Sequence, residues 1–237
     1  MSASLTGPSH NYIQCNVGGC AAVCTGAYTL LAMVNMPGAA HGMVATMRTA
    51  AYDRDIIEDT NTLFGVGDFT TGFPTPPTVL THGDWYIVGQ TKPAGAAHYR
   101  HHYYDYTVGT GSGVHGEAAS SANQSDGTAC TSIRVGDGDD VGNGLVAWTA
   151  LLTRAISDSE FDTICNNQLQ NVANLTPQAL ITLNGWNGAT GAVDLVGTSS
   201  QSALVGTVSV GADPPGYNFT IGAGAPSKKD GGFFALV

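Results

Sequence analysis

The segment that most constrains the fold, residues 133–164, places four local signals in order. Residues 133–135 favour a strand because they include β-branched side chains, and residues 136–144 form a loop rich in Gly, Asp and Asn. The apolar residues 145–152 then predict a second strand. A short helix is expected to begin at Ser157, because Ser-x-x-Glu is the capping-box pattern of a helix start.

Composition favours short strands over long helices. Charged residues make up only 11% of the 237 residues, and there are 32 glycines, which suit turns and bulges between strands. Further turn-bounded strands are predicted at residues 11–15, 28–35, 42–49, 62–66, 85–90 and 99–108. Together, the composition and the spacing of the predicted strands indicate an all-β protein.

The last third of the chain is predicted to complete the same domain. Residues 174–183 predict a second short helix, entered through a Thr-Pro pair. Strands are predicted at residues 194–196, 206–210 and 219–221, with the last beside the N-terminal strand. We therefore expect one domain over residues 1–237, in which the Gly/Ala/Thr/Ser-rich portion from about 185 to 237 completes the sandwich.

Three stretches carry a resemblance to a known family. They are Arg154-Ala-Ile-Ser-Asp-Ser-Glu160, Gly83-Asp-Trp-Tyr-Ile-Val-Gly89 and the apolar residues 27–34. Through these stretches, and through the strand–loop–strand–helix order of residues 133–164, the chain resembles laminin-G-like, concanavalin-A-like jelly-roll domains over roughly residues 10–165. The resemblance implies an antiparallel β-sandwich with one or two short helices. It says little about ligands, because this fold hosts lectins, glycosidases and structural modules.

Charge and hydropathy exclude several kinds of partner. The formal net charge of −10 argues against a phosphate-binding surface, so nucleic acid is not expected as a partner. No apolar run is long enough to cross a membrane. The N-terminus lacks the basic and apolar regions of a secretory signal, so we expect synthesis in the cytoplasm without export.

Residues 98–106 have the most unusual local composition in the chain. In a strand, one face would carry His98, Arg100, His102, Tyr104 and Tyr106. The other face would carry Tyr99, His101, Tyr103 and Asp105. Both faces look too polar for a sealed core and too bulky for a free surface, so the first is predicted to contact a partner. A well-paired surface strand is the alternative, and a three-histidine metal site is not expected because His101 and His102 point to opposite faces.

The three tryptophans are predicted to divide by role. Trp85 and Trp148 lie in predicted strands and should pack in the core. Trp186 lies between two Asn-Gly pairs, which is a turn context with little core around it. Trp186 is therefore a further candidate for contact with a partner.

The acidic loop and the cysteines are the candidates for a metal site or a disulfide. Asp137, Asp139 and Asp140 offer carboxylates in a flexible loop, a donor set that suits calcium, although an Asp/Gly turn satisfying its own backbone is favoured. No other cofactor is expected. The five cysteines are an odd count in a chain without a signal peptide, and buried thiols are favoured over a disulfide or a zinc site.

The expected function of the chain rests on the resemblance to laminin-G-like domains. Isolated, acidic, lysine-poor laminin-G-like domains are similar to minor tail or capsid decoration proteins of tailed phages. This implies a non-enzymatic virion structural or adhesion protein that binds other virion proteins, itself or a cell-surface glycan. A stand-alone lectin is the alternative. A glycoside hydrolase of the same fold is disfavoured, because Glu160 and Asp162 would diverge on a helix and Glu160 is expected to cap it.

Overall fold

A computed structural model of the protein describes residues 2–5, 12–16, 26–35, 42–49, 53–59, 63–67, 81–94, 99–118, 130–136, 144–184, 192–196, 200–205 and 208–222. The strands are, in chain order, β1 (Ser2–Leu5), β2 (Tyr12–Asn16), β3 (Tyr28–Asn35), β4 (Gly42–Thr49), β5 (Asp53–Asp59), β6 (Leu63–Gly67), β7 (Trp85–Lys92), β8 (Tyr99–Asp105), β9 (Val114–Ala118), β10 (Cys130–Gly136), β11 (Gly144–Leu152), β12 (Ala179–Thr182), β13 (Val193–Asp194), β14 (Ser200–Val205) and β15 (Val208–Gly211). The helices are α1 (Asp158–Ile164) and α2 (Leu169–Asn174). Neither of these two helices has the length and apolar content that a membrane crossing requires.

The described strands join into one antiparallel sheet that folds over itself. Its path runs β6-β5-β4-β10-β2-β14-β13-β12-β11-β3-β7-β8-β9, and β1 pairs with both β11 and β15. Four strands separate β2 from β3 on this path, yet Ile13 of β2 shares a buried core with Leu30 and Val34 of β3. The two halves of the sheet therefore pack face to face as a β-sandwich.

Strand β3 shows how the sandwich is sealed on both sides. Successive side chains of a strand point to opposite faces. Leu30 and Ala32 lie in the core between the sheet halves, whereas Leu31 and Met33 lie in a second core on the outer face. Phe161 and other apolar residues of α1 and α2 cover that second core. Burial on both faces explains the unbroken apolar run of β3.

The predicted fold class, an all-β antiparallel sandwich with one or two short helices, is confirmed. Strands Tyr28–Asn35 and Gly42–Thr49 have the predicted bounds. The two strands and the helix of residues 133–164 also follow one another as predicted, as β10, β11 and α1, whereas residues 137–143 of the predicted loop lie outside the described residues. Trp148 in β11 is 0% exposed and Trp85 in β7 is buried, as expected for core residues.

The helix predicted for residues 174–183 is wrong. Helix α2 ends at Asn174, and Ala179–Thr182 forms strand β12. Thr176 has φ 56°, in the left-handed region, and a residue that precedes proline avoids the right-handed helical region. Pro177 therefore follows the end of a helix and does not begin one.

The C-terminal prediction is correct in topology but wrong in position. Strand β15, Val208–Gly211, pairs with β1, so a late strand does lie beside the N-terminal strand. Residues 219–221, predicted as that strand, are irregular. Strands β1, β5, β9 and β14 were not predicted; β5 is rich in acidic residues and β9 contains a glycine, and both features weaken a strand pattern. The extent of the domain over residues 1–237 stays a prediction.

Candidate functional site

Strand β8 is buried on both faces by the chain itself. His101 and Tyr103 face the core between the sheet halves, and both are buried. On the outer face, His102 is 1% exposed and Tyr104 is 7% exposed. The prediction that both faces are too polar for a sealed core is therefore wrong.

The outer face of β8 is covered by α1 and by the segment that follows β15. Phe161 of α1 stacks on His102 with ring centroids 5.0 Å apart. The Tyr106 hydroxyl donates to the Pro215 carbonyl at 2.7 Å, and the Tyr106 ring meets Tyr217 edge-on. The chain thus provides much of the cover for which the sequence predicted a partner.

Helix α1 begins at the predicted capping box. The Ser157 hydroxyl accepts from the Glu160 N–H at 3.2 Å, and the Glu160 carboxylate accepts from the Ser157 N–H at 2.8 Å. Arg154 also pairs with Glu160 at 2.8 Å. The Ser157 N–H is the main cause that lowers the pKa of Glu160. The capping role predicted for Glu160 is confirmed.

Phe161 fits against the sheet because Gly113, just before β9, leaves room for it. A Cβ on Gly113 would lie 2.7 Å from Phe161 Cδ1. The Gly113 N–H also donates to Asp162 Oδ1 at 2.8 Å. The close approach of α1 to this part of the sheet therefore depends on a residue without a side chain. Gly89 of β7 makes room for a different residue, because a Cβ there would lie 2.6 Å from Leu31 Cδ2 and in ordinary contact with Phe161.

Arg100 of β8 and Asp158 of α1 form a bidentate ion pair. Two guanidinium nitrogens of Arg100 donate to the two carboxylate oxygens of Asp158. This bond is the main cause that lowers the pKa of Asp158. Because bidentate pairing fixes the carboxylate plane, Asp158 Oδ1 is held 3.8 Å from His102 Nδ1 and 3.7 Å from His115 Nδ1.

A chain of hydroxyl groups fixes the tautomer of His102. The Thr29 hydroxyl donates to the Arg154 carbonyl at 2.8 Å, so Thr91, 3.0 Å away, must donate to Thr29. The Thr91 hydroxyl can then only accept from His102 Nε2, at 3.2 Å. Burial, with a smaller effect of His115, lowers the pKa of His102 to about 3, so the ring is neutral. His102 therefore carries its one hydrogen on Nε2, and its Nδ1 is an acceptor.

His115 of β9 bridges His102 and Asp162. It lies directly opposite His102 in the β8–β9 register, and the two Nδ1 atoms are 2.9 Å apart. His115 Nε2 is 3.3 Å from Asp162 Oδ1, and because a carboxylate only accepts, this nitrogen carries a hydrogen. With a hydrogen on each Nε2, both Nδ1 atoms present lone pairs to the same space, as two ligands of one metal ion do.

We name His102, His115 and Asp158 the histidine–aspartate cluster. Their two Nδ1 atoms and one Oδ1 atom all lie within 4.8 Å of one another. The side chain of His102 is fully buried, that of His115 is 13% exposed, and that of Asp158 is 37% exposed. The cluster is therefore anchored in the core on one side and open to water on the other.

Beside the cluster lies a cleft of about 630 Å³, which we name the tyrosine cleft. Its lining residues are Tyr104, Tyr106, Thr107, Gly109, Gly111, Asp162, Cys165, Asn166, Asn167 and Pro215. Tyr104 is buried, Tyr106 is half-buried, and Asn166 and Asn167 are exposed. Asp162 connects the two sites, because it lines the cleft and accepts a hydrogen bond from His115 of the cluster.

The predicted partner-contact residues are only partly brought together. Arg100, His102, Tyr104 and Tyr106 share the outer face of β8, where each contacts other parts of the chain. Outside the described residues lie His98, Trp186, Asp137, Asp139 and Asp140. Partner contact and calcium binding at these positions therefore stay predictions.

Sequence reasoning did not identify Thr91, His115, Asp158 or Asp162 as site residues. His115 lies in β9, one of the strands that were not predicted, and its neighbour Gly116 breaks the strand pattern. Asp158 and Asp162 are four residues apart on a correctly predicted helix, a spacing that places two side chains on one face. That spacing is the one signal that could have placed them together.

The thiols are buried where the structure describes them. Cys15 and Cys165 are both buried, as the buried-thiol interpretation predicts. The side chains of Cys20, Cys24 and Cys130 lie outside the described part of the chain.

Comparison with known proteins gives a partial likeness of fold. No protein-family model matches the chain, and neither does any curated protein. A native heptameric SAP-like pentraxin from Limulus polyphemus aligns with a TM-score of 0.48 and 12% identity, over 70% of this chain and 81% of the pentraxin. Domain 4 of AbnA, a GH43 extracellular arabinanase from Geobacillus stearothermophilus solved with arabinotriose, aligns with a TM-score of 0.44 and 14% identity, over 60% of this chain and 67% of that domain. The β-sandwich follows from the strand pairing and the two cores, independently of these likenesses.

Proposed function

We propose that this chain is a non-enzymatic binding module that takes a neutral oligosaccharide in the tyrosine cleft. The composition of the cleft carries the proposal. Its volume of about 630 Å³ falls in the usual range of small-molecule sites, roughly 300–1,000 Å³. The half-buried Tyr106 offers an aromatic surface to the apolar side of a sugar ring. The amides of Asn166 and Asn167 each make hydrogen bonds within the chain, and the second N–H of each remains for a sugar hydroxyl.

Charge selects among ligands of this size. The chain has a formal net charge of −10, and Asp162 adds a carboxylate to the cleft lining. An anionic ligand would meet repulsion from both. A neutral glycan is therefore preferred to an acidic one.

The carboxylates at the cleft support binding without hydrolysis. A glycosidase of the usual kind needs two carboxyl groups that flank the scissile bond. Among the described residues that line the cleft, Asp162 is the sole carboxylate, and its Oδ1 already accepts from Gly113 and His115. Glu160 is engaged in the capping box.

We further propose that the module belongs to the virion of a tailed phage, as a minor tail or capsid decoration protein. The resemblance to isolated laminin-G-like domains and the acidic, lysine-poor composition support this placement. In a particle it would bind other virion proteins or further copies of itself, and present the cleft to a cell-surface glycan. A stand-alone lectin would use the same cleft and differ only in not being packaged.

A glycan array probed with the labelled chain tests the binding step. We expect retention of neutral oligosaccharides, and loss of that retention in Tyr106→Ala and Asn167→Ala. Tyr106→Phe keeps the ring and should retain most of the binding. Tyr12→Ala, which removes a half-buried tyrosine on β2, is the matched control and should bind as the original chain does. Retention unchanged by Tyr106→Ala would show that the cleft is not the glycan site.

Mass spectrometry of purified particles tests the placement. We expect this chain among the virion proteins, at a copy number that distinguishes a tail ring from a capsid lattice. Its absence from particles, with glycan retention intact, would favour the stand-alone lectin.

A further inference from the structure

We propose that the histidine–aspartate cluster binds a divalent transition metal, for which zinc is the best match. The ligands are Nδ1 of His102, Nδ1 of His115 and Oδ1 of Asp158. Two imidazole nitrogens and one carboxylate oxygen are donors that zinc commonly takes. The partly exposed side of His115 and Asp158 leaves a fourth position for water. This site is independent of any glycan in the tyrosine cleft.

The separations between the ligand atoms fit a tetrahedral ion. The two Nδ1 atoms are 2.9 Å apart, and Asp158 Oδ1 lies 3.8 Å from His102 Nδ1 and 3.7 Å from His115 Nδ1. Ligands about 2.0–2.1 Å from a tetrahedral zinc are roughly 3.3–3.4 Å from one another. The observed separations lie on both sides of this value. Shifts of about half an ångström, within the range of small side-chain rotations, bring all three ligands into place.

The Nε2 atoms of both imidazoles, which face away from the proposed metal, already donate hydrogen bonds. His102 Nε2 donates to Thr91, and His115 Nε2 donates to Asp162 Oδ1 at 3.3 Å. A histidine that binds a metal usually donates its other N–H to an oxygen in this way. Both Nδ1 lone pairs therefore point toward the same space, next to a carboxylate that Arg100 orients.

The charge balance of the site favours a cation. Apart from the two imidazoles, Arg100, Asp158 and Asp162 together carry a net charge of −1. A divalent cation held by the two Nδ1 atoms and Asp158 Oδ1 would therefore have net negative surroundings.

Zinc affinity of the metal-free full chain, measured by competition with a chromophoric chelator, tests the site. We expect one zinc per chain. His115→Ala and Asp158→Asn should each weaken binding at least about tenfold, and Asp162→Asn, which removes no ligand and acts on the site through its hydrogen bond to His115, should weaken it less. Cobalt in place of zinc should give the intense visible absorption of a four-coordinate ion, without the charge-transfer band of a cobalt thiolate.

Two control variants separate this site from other cation sites. His82→Ala removes an exposed histidine outside the cluster, and the triple change Asp137→Asn, Asp139→Asn and Asp140→Asn neutralises the acidic loop. Both should keep the zinc affinity of the original chain. Asp158→Asn preserves the shape of its side chain, so it tests the ligand even where His115→Ala loosens β9. Absence of zinc binding, unchanged affinity in the ligand variants, or a thiolate band with cobalt would each overturn the proposal.

Discussion

The Phe161 ring stacks on the His102 imidazole, with centroids 5.0 Å apart and an interplanar angle of 19°. His115 meets the same Phe161 ring edge-on, at 5.7 Å and 90°. One apolar side chain of α1 therefore positions both imidazoles of the histidine–aspartate cluster. Docking of the helix and geometry of the cluster depend on each other.

Gly113→Ala should disturb both at once. The added Cβ would lie 2.7 Å from Phe161 Cδ1 and 3.0 Å from Asp162 Oδ1, so Phe161 or the strand must shift. Overpacking of this kind costs about 1–3 kcal/mol, which urea unfolding measures as a lower midpoint. Zinc affinity should fall as well.

Gly222→Ala is the control for this substitution. A Cβ there would meet Gln170 Oε1 at 3.5 Å, which is ordinary contact, so the free energy of unfolding should change little. If Gly113→Ala unfolds at the original urea concentration, the close approach of α1 to the sheet does not limit stability.

Local signals explain why much of the fold could be predicted. The unbroken apolar run of β3 and the capping box of α1 are each complete within a few residues of sequence. The wrong second helix came from weighing Pro177 as a helix start, although the left-handed Thr176 makes it follow a helix end. The prediction failed because proline is common both in the first turn of a helix and just after the end of one.

The candidate site could not be predicted because long-range pairing assembles it. His102 meets His115 only through the β8–β9 register, and both meet Asp158 only because α1 docks on that face. Sequence reasoning compared His101 with His102 inside one strand and rejected a metal site on that basis. The alternation was right, but the second histidine comes from the neighbouring strand.

Trp148→Ala should be among the most damaging core substitutions. The Trp148 side chain is fully buried among the apolar residues of the second core, so truncation leaves a cavity and costs about 3–5 kcal/mol. Val108→Ala is the control, because Val108 is 59% exposed and its truncation should change stability by less than about 0.5 kcal/mol. Equal urea midpoints for the two variants would contradict the placement of β11 in the core.

Cys165 should resist alkylation in the folded protein although it lines the tyrosine cleft. Burial, with Asp162 as the second cause, raises its pKa to about 12, and its thiol donates to the Phe161 carbonyl at 3.5 Å. The thiolate is the reactive form, so iodoacetamide at pH 8 finds little of it. Peptide mapping should show Cys165 and the buried Cys15 unlabelled in native buffer and labelled in urea. Equally fast labelling of Cys165 in both conditions would mean that its side chain is open to solvent.

His101 should make the fold sensitive to acid. Its side chain is buried, its Nε2 has no hydrogen-bond partner among the residues that the structure describes, and burial lowers its pKa from 6.5 to about 4. Between these two pKa values, His101 binds a proton in the unfolded chain but not in the folded chain. The contribution of neutral His101 to the free energy of unfolding is therefore complete above pH 6.5 and is lost as the pH falls toward 4, at about 1.4 kcal/mol per pH unit.

His101→Leu tests this contribution directly. Leucine cannot take up a proton, so the fall in unfolding free energy between pH 6.5 and about 4 should become shallower by roughly one proton. His102, whose pKa is lowered to about 3, keeps its own share of the slope. At pH 7 the variant should be at least as stable as the original, because it removes a buried ring nitrogen that has no partner within the described part of the chain. Urea unfolding in metal-free buffer across this range measures the slope, and an unchanged slope in His101→Leu would mean that His101 takes up its proton equally well in the folded chain.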